Sequence, residues 1–293
     1  MVDQFDVIET GGNGRRRWIG VAVVLGLLVV PVAGFLLSRD PDPEVVLPPS
    51  GTIASLSTIT SAPNMLHATS RAKGDDEIID VVFPDGEEAE VRYPAELQLD
   101  DLGSRPFQGS WVEGDQFGAY RALTTPYGGD YEITRGAKPL RNFTPTVTLW
   151  PRPPGSGVGQ VLLFEFGPWR VAMYDRPEGL RFEQRLAVAK GLHGKVTKDG
   201  YLVLSSDKSI RLAVPGDGPR GDPVGPQLWF GGGSGDMLAL VPMPDCRLPQ
   251  IPSAMEARGR AARARCQGDM LIAASGSRRF VEQAVEGIRV RLK

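Results

Sequence analysis

IIDVVFPDGEEAEVRY, residues 78–93, decides the fold class. Ile78 to Phe83 is mostly apolar and β-branched, and Glu88 to Tyr93 alternates polar with apolar. Between them stands Pro84-Asp85-Gly86, in which proline presets φ and glycine accepts a positive φ. Two such runs about a turn predict a β-hairpin. The pattern recurs along the chain. Val161–Phe166 and Trp169–Tyr174 are apolar runs split by Gly167-Pro168, and Lys195–Leu204 turns about Asp199-Gly200. Thr146–Trp150, Met237–Val241, Asp269–Ala274 and Ile288–Leu292 are further strands.

Helical spacing is confined to two segments. Arg181 to Leu192 carries Phe182, Leu186, Ala189 and Leu192 on one face, with Gly191 and Gly194 near its end. Ser277 to Glu286 is the second, with Ser277 as N-cap. Arg181-Phe182-Glu183-Gln184 resembles Arg279-Phe280-Val281-Glu282-Gln283, so two strand–strand–helix–strand units form a candidate duplication with a sub-boundary near 151–160. The fold expected is α+β: a sheet-rich extracytoplasmic domain over 76–293, on one N-terminal transmembrane helix.

That helix is read from WIGVAVVLGLLVVPVAGFLL, residues 18–37, an uncharged run long enough to cross roughly 30 Å of hydrocarbon. Arg15, Arg16 and Arg17 precede it, and Asp40, Asp42 and Glu44 follow. The asymmetry predicts a cytoplasmic tail over 1–17 and export of everything beyond, a single-pass cell-membrane protein oriented N-in and C-out. A cleaved signal peptide competes, but Val32-Ala33-Gly34 is a poor cleavage site. Residues 38–75 are rich in Pro, Ser and Thr and read as a flexible tether.

Composition sets the remaining bounds. The 293 residues carry 33 Lys+Arg against 35 Asp+Glu, a balance that argues against a nucleic-acid partner. Arginine dominates lysine, and Gly and Pro are frequent, a bias typical of a high-GC genome. Two cysteines and two histidines leave no Cys-rich or His-rich metal site, and no cofactor is expected. In an exported domain Cys246 and Cys266 are expected to pair as a structural disulfide. The closed loop of roughly twenty residues is worth ~3 kcal/mol on the chain-entropy model.

No motif carries a complete chemistry. Gly231-Gly232-Gly233-Ser234-Gly235-Asp236 lacks the Walker lysine and places Asp236 where a hydrolase elbow needs glycine, so it reads as a loop. His193 could serve as a base with Asp175 or Asp199 and a serine such as Ser205, but no spacing singles these residues out. Glu183 reads as the solvated face of its helix. The acidic groups at 75–77 and 85–88 lack calcium-loop spacing. Arg258, Arg260, Arg263 and Arg265, inside the disulfide loop, are the candidate interaction patch for an anionic envelope polymer or an acidic protein surface. Trp111, Trp150, Trp169 and Trp229 read as core or surface anchors, with sugar stacking as a minor alternative.

The segments VVFPDGEEAEVRYPAELQLDDLGSRPF (81–107) and Phe166 to Ala213 carry a Tyr-Pro-Ala-Glu-Leu element at 93–97 and a Leu-x-Gly-x-x-Thr-x-Asp-Gly-Tyr-Leu-Val-Leu element at 192–204. They resemble single-pass or exported proteins of actinobacteria. The resemblance implies an envelope protein with an outer domain and brings no catalytic residues. The function expected is a membrane-anchored extracytoplasmic binding or accessory protein, non-enzymatic, acting through a partner in an envelope complex or an envelope polymer. The alternative is an envelope hydrolase whose site is assembled from distant residues.

Overall fold

Asp85 and Gly86 close the 78–93 hairpin through their own chemistry. Gly86 adopts φ +94° and its N–H donates to the Phe83 carbonyl at 2.9 Å, while the Asp85 carboxylate accepts from the Glu87 N–H at 3.1 Å. The computed structural model describes residues 64–115, 118–153, 155–256 and 259–293.

In chain order the strands begin with β1 (Arg71–Lys73), β2 (Asp76–Val82), β3 (Glu88–Pro94), β4 (Ser104–Val112) and β5 (Arg121–Thr124). Next come β6 (Arg141–Thr144), β7 (Val147–Trp150), β8 (Val161–Phe166), β9 (Trp169–Tyr174), β10 (Leu192–Val196) and β11 (Leu202–Ser206). The last are β12 (Ile210–Leu212), β13 (Gln227–Gly231), β14 (Met237–Pro242), β15 (Ala261–Gln267), β16 (Met270–Gly276) and β17 (Arg289–Leu292). The α-helices are α1 (Leu99–Leu102), α2 (Tyr131–Thr134), α3 (Phe182–Gly191) and α4 (Arg278–Gly287).

These strands form three antiparallel sheets. The largest runs β15-β16-β14-β13-β4-β5-β9-β8-β7-β6, with β12 also paired to β4. A four-stranded sheet runs β1-β2-β3-β17, and β10 pairs with β11. In the four-stranded sheet Ile79, Val81, Ala89, Val91 and Tyr93 are buried. The opposite face is a lattice of ion pairs, with Arg71 on Asp80 and Glu90, and Arg92 on Asp76.

Both faces of the large sheet are covered, which is why its strands read as continuous apolar runs. On β14, Leu238 and Leu240 pack toward β2, β3 and α4. Ala239 and Val241 pack toward the disulfide loop, with Met255, Leu271 and Ala273. On β8, Leu162 and Phe164 join the core under α3, while Val161 and Leu163 meet Ile133 and Trp150. The period of two survives, hidden because each face has its own apolar partner.

Of the face predicted for α3, Ala189 and Leu192 are buried, Leu186 is half-buried and Phe182 is exposed. Val188 and Ala189 of α3 are buried. Phe280, Val281, Ala284 and Val285 of α4 are buried too, and the Ser277 hydroxyl accepts from the Phe280 N–H. Asp236, the last residue of the glycine-rich stretch, accepts from the Ser277 N–H at 2.7 Å and so fixes the start of α4. Gly276 has to be glycine: its φ is +149°, and a Cβ there would lie 2.1 Å from the Asp236 carboxylate.

The sheet-rich expectation agrees with this architecture; the expected N-terminal transmembrane helix requires correction. Among the described residues no helix is long and apolar enough to cross a membrane, and the two longest α-helices have ten residues each. The stretch 18–37, the orienting Arg15, Arg16 and Arg17, and most of the tether lie outside the described residues. The strand–strand–helix–strand order occurs twice, as β8-β9-α3-β10 and β15-β16-α4-β17. Both hairpins belong to one sheet, while β10 joins β11 and β17 joins β3. Residues 151–160 link β7 to β8, which are neighbours in that sheet. The folded part also takes in residues that composition assigned to the tether. Leu66 and Ser104 exchange backbone hydrogen bonds, both 2.8 Å, and the buried Asn64 amide pairs with the Arg170 backbone.

Candidate ligand cleft

Along β4 the odd-numbered residues Arg105, Phe107, Gly109 and Trp111 share one face of the large sheet, as strand geometry requires. Gly109 lies opposite Ala122 of β5, so two of the smallest side chains meet across the strands. Val224 closes over Gly109. Beside it Ala122 lines a cleft of about 830 Å³, together with Trp111, Tyr120, Tyr174, Arg176 and Asp222. That volume lies within the ~300–1,000 Å³ typical of ligand sites.

The aromatic wall is braced from outside. Arg211 is the register partner of Trp111, and its guanidinium lies 3.8 Å from the indole centroid. Asp217 holds that guanidinium in turn, at 2.8 Å. The Tyr120 ring is tilted against Trp111 with centroids 6.4 Å apart. Burial, reinforced by the Glu132 charge and partly offset by Arg105, pushes the Tyr174 phenol up to about 12. Burial and the Asp222 charge raise the Tyr120 phenol. Both hydroxyls therefore stay protonated at neutral pH and can donate hydrogen bonds.

Three of the charged residues of the cleft, Arg121, Asp175 and Asp222, have partners within the domain. Arg121 donates from Nε to Asp175 at 3.1 Å and from Nη1 to Asp115 at 2.8 Å and to the Ala119 carbonyl at 2.7 Å. Asp175 also accepts from the Arg176 N–H, the Leu180 N–H and Arg185. The side chains of Arg121, Asp175 and Asp115 are 1%, 4% and 6% exposed. Arg185 belongs to α3, so this network ties the helix to β5 and β9 directly beneath the cleft. Asp222 accepts from the Ser253 N–H at 3.1 Å and its hydroxyl at 2.6 Å, fastening the disulfide loop to the cleft rim.

Arg105, on the face of β4 that carries Trp111, is buried without a salt bridge among the described residues. Arg105 donates to the carbonyls of Gly231 and Thr125 and lies over Trp229 and Tyr127. Trp229 stacks on Phe107, centroids 4.8 Å apart. Burial lowers the Arg105 pKa against the opposing pull of Glu132. Aromatic faces and carbonyls thus replace the water that this guanidinium has lost.

Cys246 and Cys266 form a disulfide, with Cα atoms 5.5 Å apart. Three of the four patch arginines are among the described residues. Arg258 lies outside the described residues. Arg260 donates to the carbonyls of Gly233, Gly235 and Ser275, closing the glycine-rich turn. Arg263 pairs with Glu286 at 3.5 Å, and Arg265 donates to the Ile288 carbonyl past the C-terminus of α4.

His193 and Ser205 are register partners across β10 and β11. Asp175 is locked with Arg121 and Arg185, so these three candidates do not come together. Among the described residues no group of three or more His, Cys, Asp or Glu is placed to hold a metal ion.

Of the four tryptophans in the domain, Trp150, Trp169 and Trp229 are buried and only Trp111 faces the cleft. Sequence reasoning missed Tyr120, Tyr174 and the small floor beneath them. The available signal was the alternation around Trp111 and Tyr120, which puts both on one face of adjoining strands. No protein-family model, curated protein or solved structure matches the chain.

Proposed function

We propose that the chain is an extracytoplasmic, non-enzymatic binding or accessory protein of the bacterial cell envelope, holding a partner or envelope polymer in the aromatic cleft. The observation that carries this reading is the wall of Trp111, Tyr120 and Tyr174, with Arg121, Asp175 and Asp222 already engaged within the domain. Such a site holds a ligand by packing and hydrogen bonding, with no free base poised to move a proton. The disulfide supports an oxidising compartment.

The test is copurification of the full-length protein from its native envelope in mild detergent, beside Trp111→Ala and Tyr120→Ala. The wild type is expected to retain a stoichiometric component. Each variant should lose at least nine-tenths of it at an unchanged melting temperature. Equal recovery by all three proteins would exclude the cleft as the binding site.

A further inference from the structure

We infer that the cleft binds an uncharged saccharide chain through pyranose faces stacked on Trp111 and Tyr120. This deepens the binding reading above and rests on it. Charge is the first argument. The ionic side chains lining the cleft are Arg121, Arg176, Asp175 and Asp222, two of each sign. Arg121 and Asp175 neutralise each other below the floor, and Asp222 is engaged by Ser253. An anionic polymer would meet no net positive field there, and a cationic one no net negative field.

The second argument is the wall. A sugar ring presents axial C–H bonds on its faces and hydroxyls at its rim. It therefore needs a flat apolar surface bordered by donors and acceptors. Trp111 supplies the flat surface, and Arg211 stacks over one of its two faces, 3.8 Å from the centroid, leaving a sugar the opposite face. Tyr120 and Tyr174 supply phenol donors at the border, and burial keeps both protonated. Arg176 and Asp222 add a donor and an acceptor on the same rim. In this arrangement Trp111 and Tyr120 are contact residues and Arg211 is a positioning residue.

The experiment is isothermal titration of the full-length protein with neutral gluco-, manno- and galacto-hexaoses, and separately with hexagalacturonate. At least one neutral hexaose is expected to bind saturably. Trp111→Ala should weaken it roughly thirty-fold, the size of a hot-spot aromatic truncation, and Trp111→Phe much less. Arg211→Ala, which removes only the brace, should weaken it several-fold without lowering the melting temperature. That change separates a positioning role from a fold defect. Binding of hexagalacturonate alone, lost in Trp111→Ala, would overturn the neutral-saccharide inference and leave the binding reading standing. If no hexaose binds, the inference also fails, and the copurification result then decides the broader reading by itself.

Discussion

Asp175→Ala is expected to destabilise the domain by about 3–5 kcal/mol, the cost of breaking a buried pair by removing one partner. For a domain of this size that lowers the melting temperature by roughly 6–20 °C. The Asp175 carboxylate satisfies four donors: Arg121 Nε, Arg185 Nη2 and the N–H groups of Arg176 and Leu180. Arg121 is among the largest fully buried side chains. It would keep Asp115 as its remaining carboxylate, while two backbone donors and two guanidinium edges would lose their acceptor. Arg263→Ala is the control. Its partner Glu286 is 70% exposed, and loss of such a surface pair costs about 1 kcal/mol or less. A denaturant titration giving Asp175→Ala the same small effect as Arg263→Ala would mean that the network beneath the cleft is solvated.

Reduction of the Cys246–Cys266 bridge, or its replacement by two alanines, should cost ~3 kcal/mol, or roughly 6–12 °C of melting temperature. The bridge joins the loop after β14 to edge strand β15 and encloses Ile251 and Met255, which pack on the sheet near Leu271 and Ala273. Among the described residues before β15, Ser253 ties the loop to Asp222, and Asp245, next to Cys246, is tied to Asp269. Because Ser253 holds Asp222 at the rim, reduction should also weaken ligand binding before the domain unfolds. Equal melting curves with and without reductant would show that Ile251 and Met255 hold the loop unaided.

How much of this was legible in the sequence depended on the range of the signal. The 78–93 hairpin was legible because its turn chemistry is local. So were both long helices, and Ser277 as a cap. The cysteine pairing followed from compartment and number. The centre of the sheet was not legible. β4 joins β5, β12 and β13, partners up to more than a hundred residues away, and it carries Pro106 and Gly109, which argue against a central strand. Pro106 is accommodated because pairing with β5 begins only at Phe107. Gly109 is required because a Cβ there would lie 2.8 Å from the Val224 carbonyl.

The same gap hid the cleft. Trp111, Tyr120 and Tyr174 line one cleft only once β4, β5 and β9 are aligned, and composition cannot reveal that alignment. The arginine cluster at 258–265 is dense in sequence, yet Arg260 and Arg265 donate to backbone carbonyls and Arg263 forms an exposed pair with Glu286.

The most direct test is an indole N–H spectrum of the ¹⁵N-labelled full-length protein, recorded while a neutral hexaose is added. Three of the domain's indoles donate internally: Trp150 to Thr148, Trp169 to the Gly200 carbonyl and Trp229 to Gln227. Their signals should stay in place. The Trp111 signal, assigned by its disappearance in Trp111→Phe, should move and saturate. A Trp111 signal that stays fixed while the sugar binds, or a buried indole that moves instead, would contradict the cleft as the binding site.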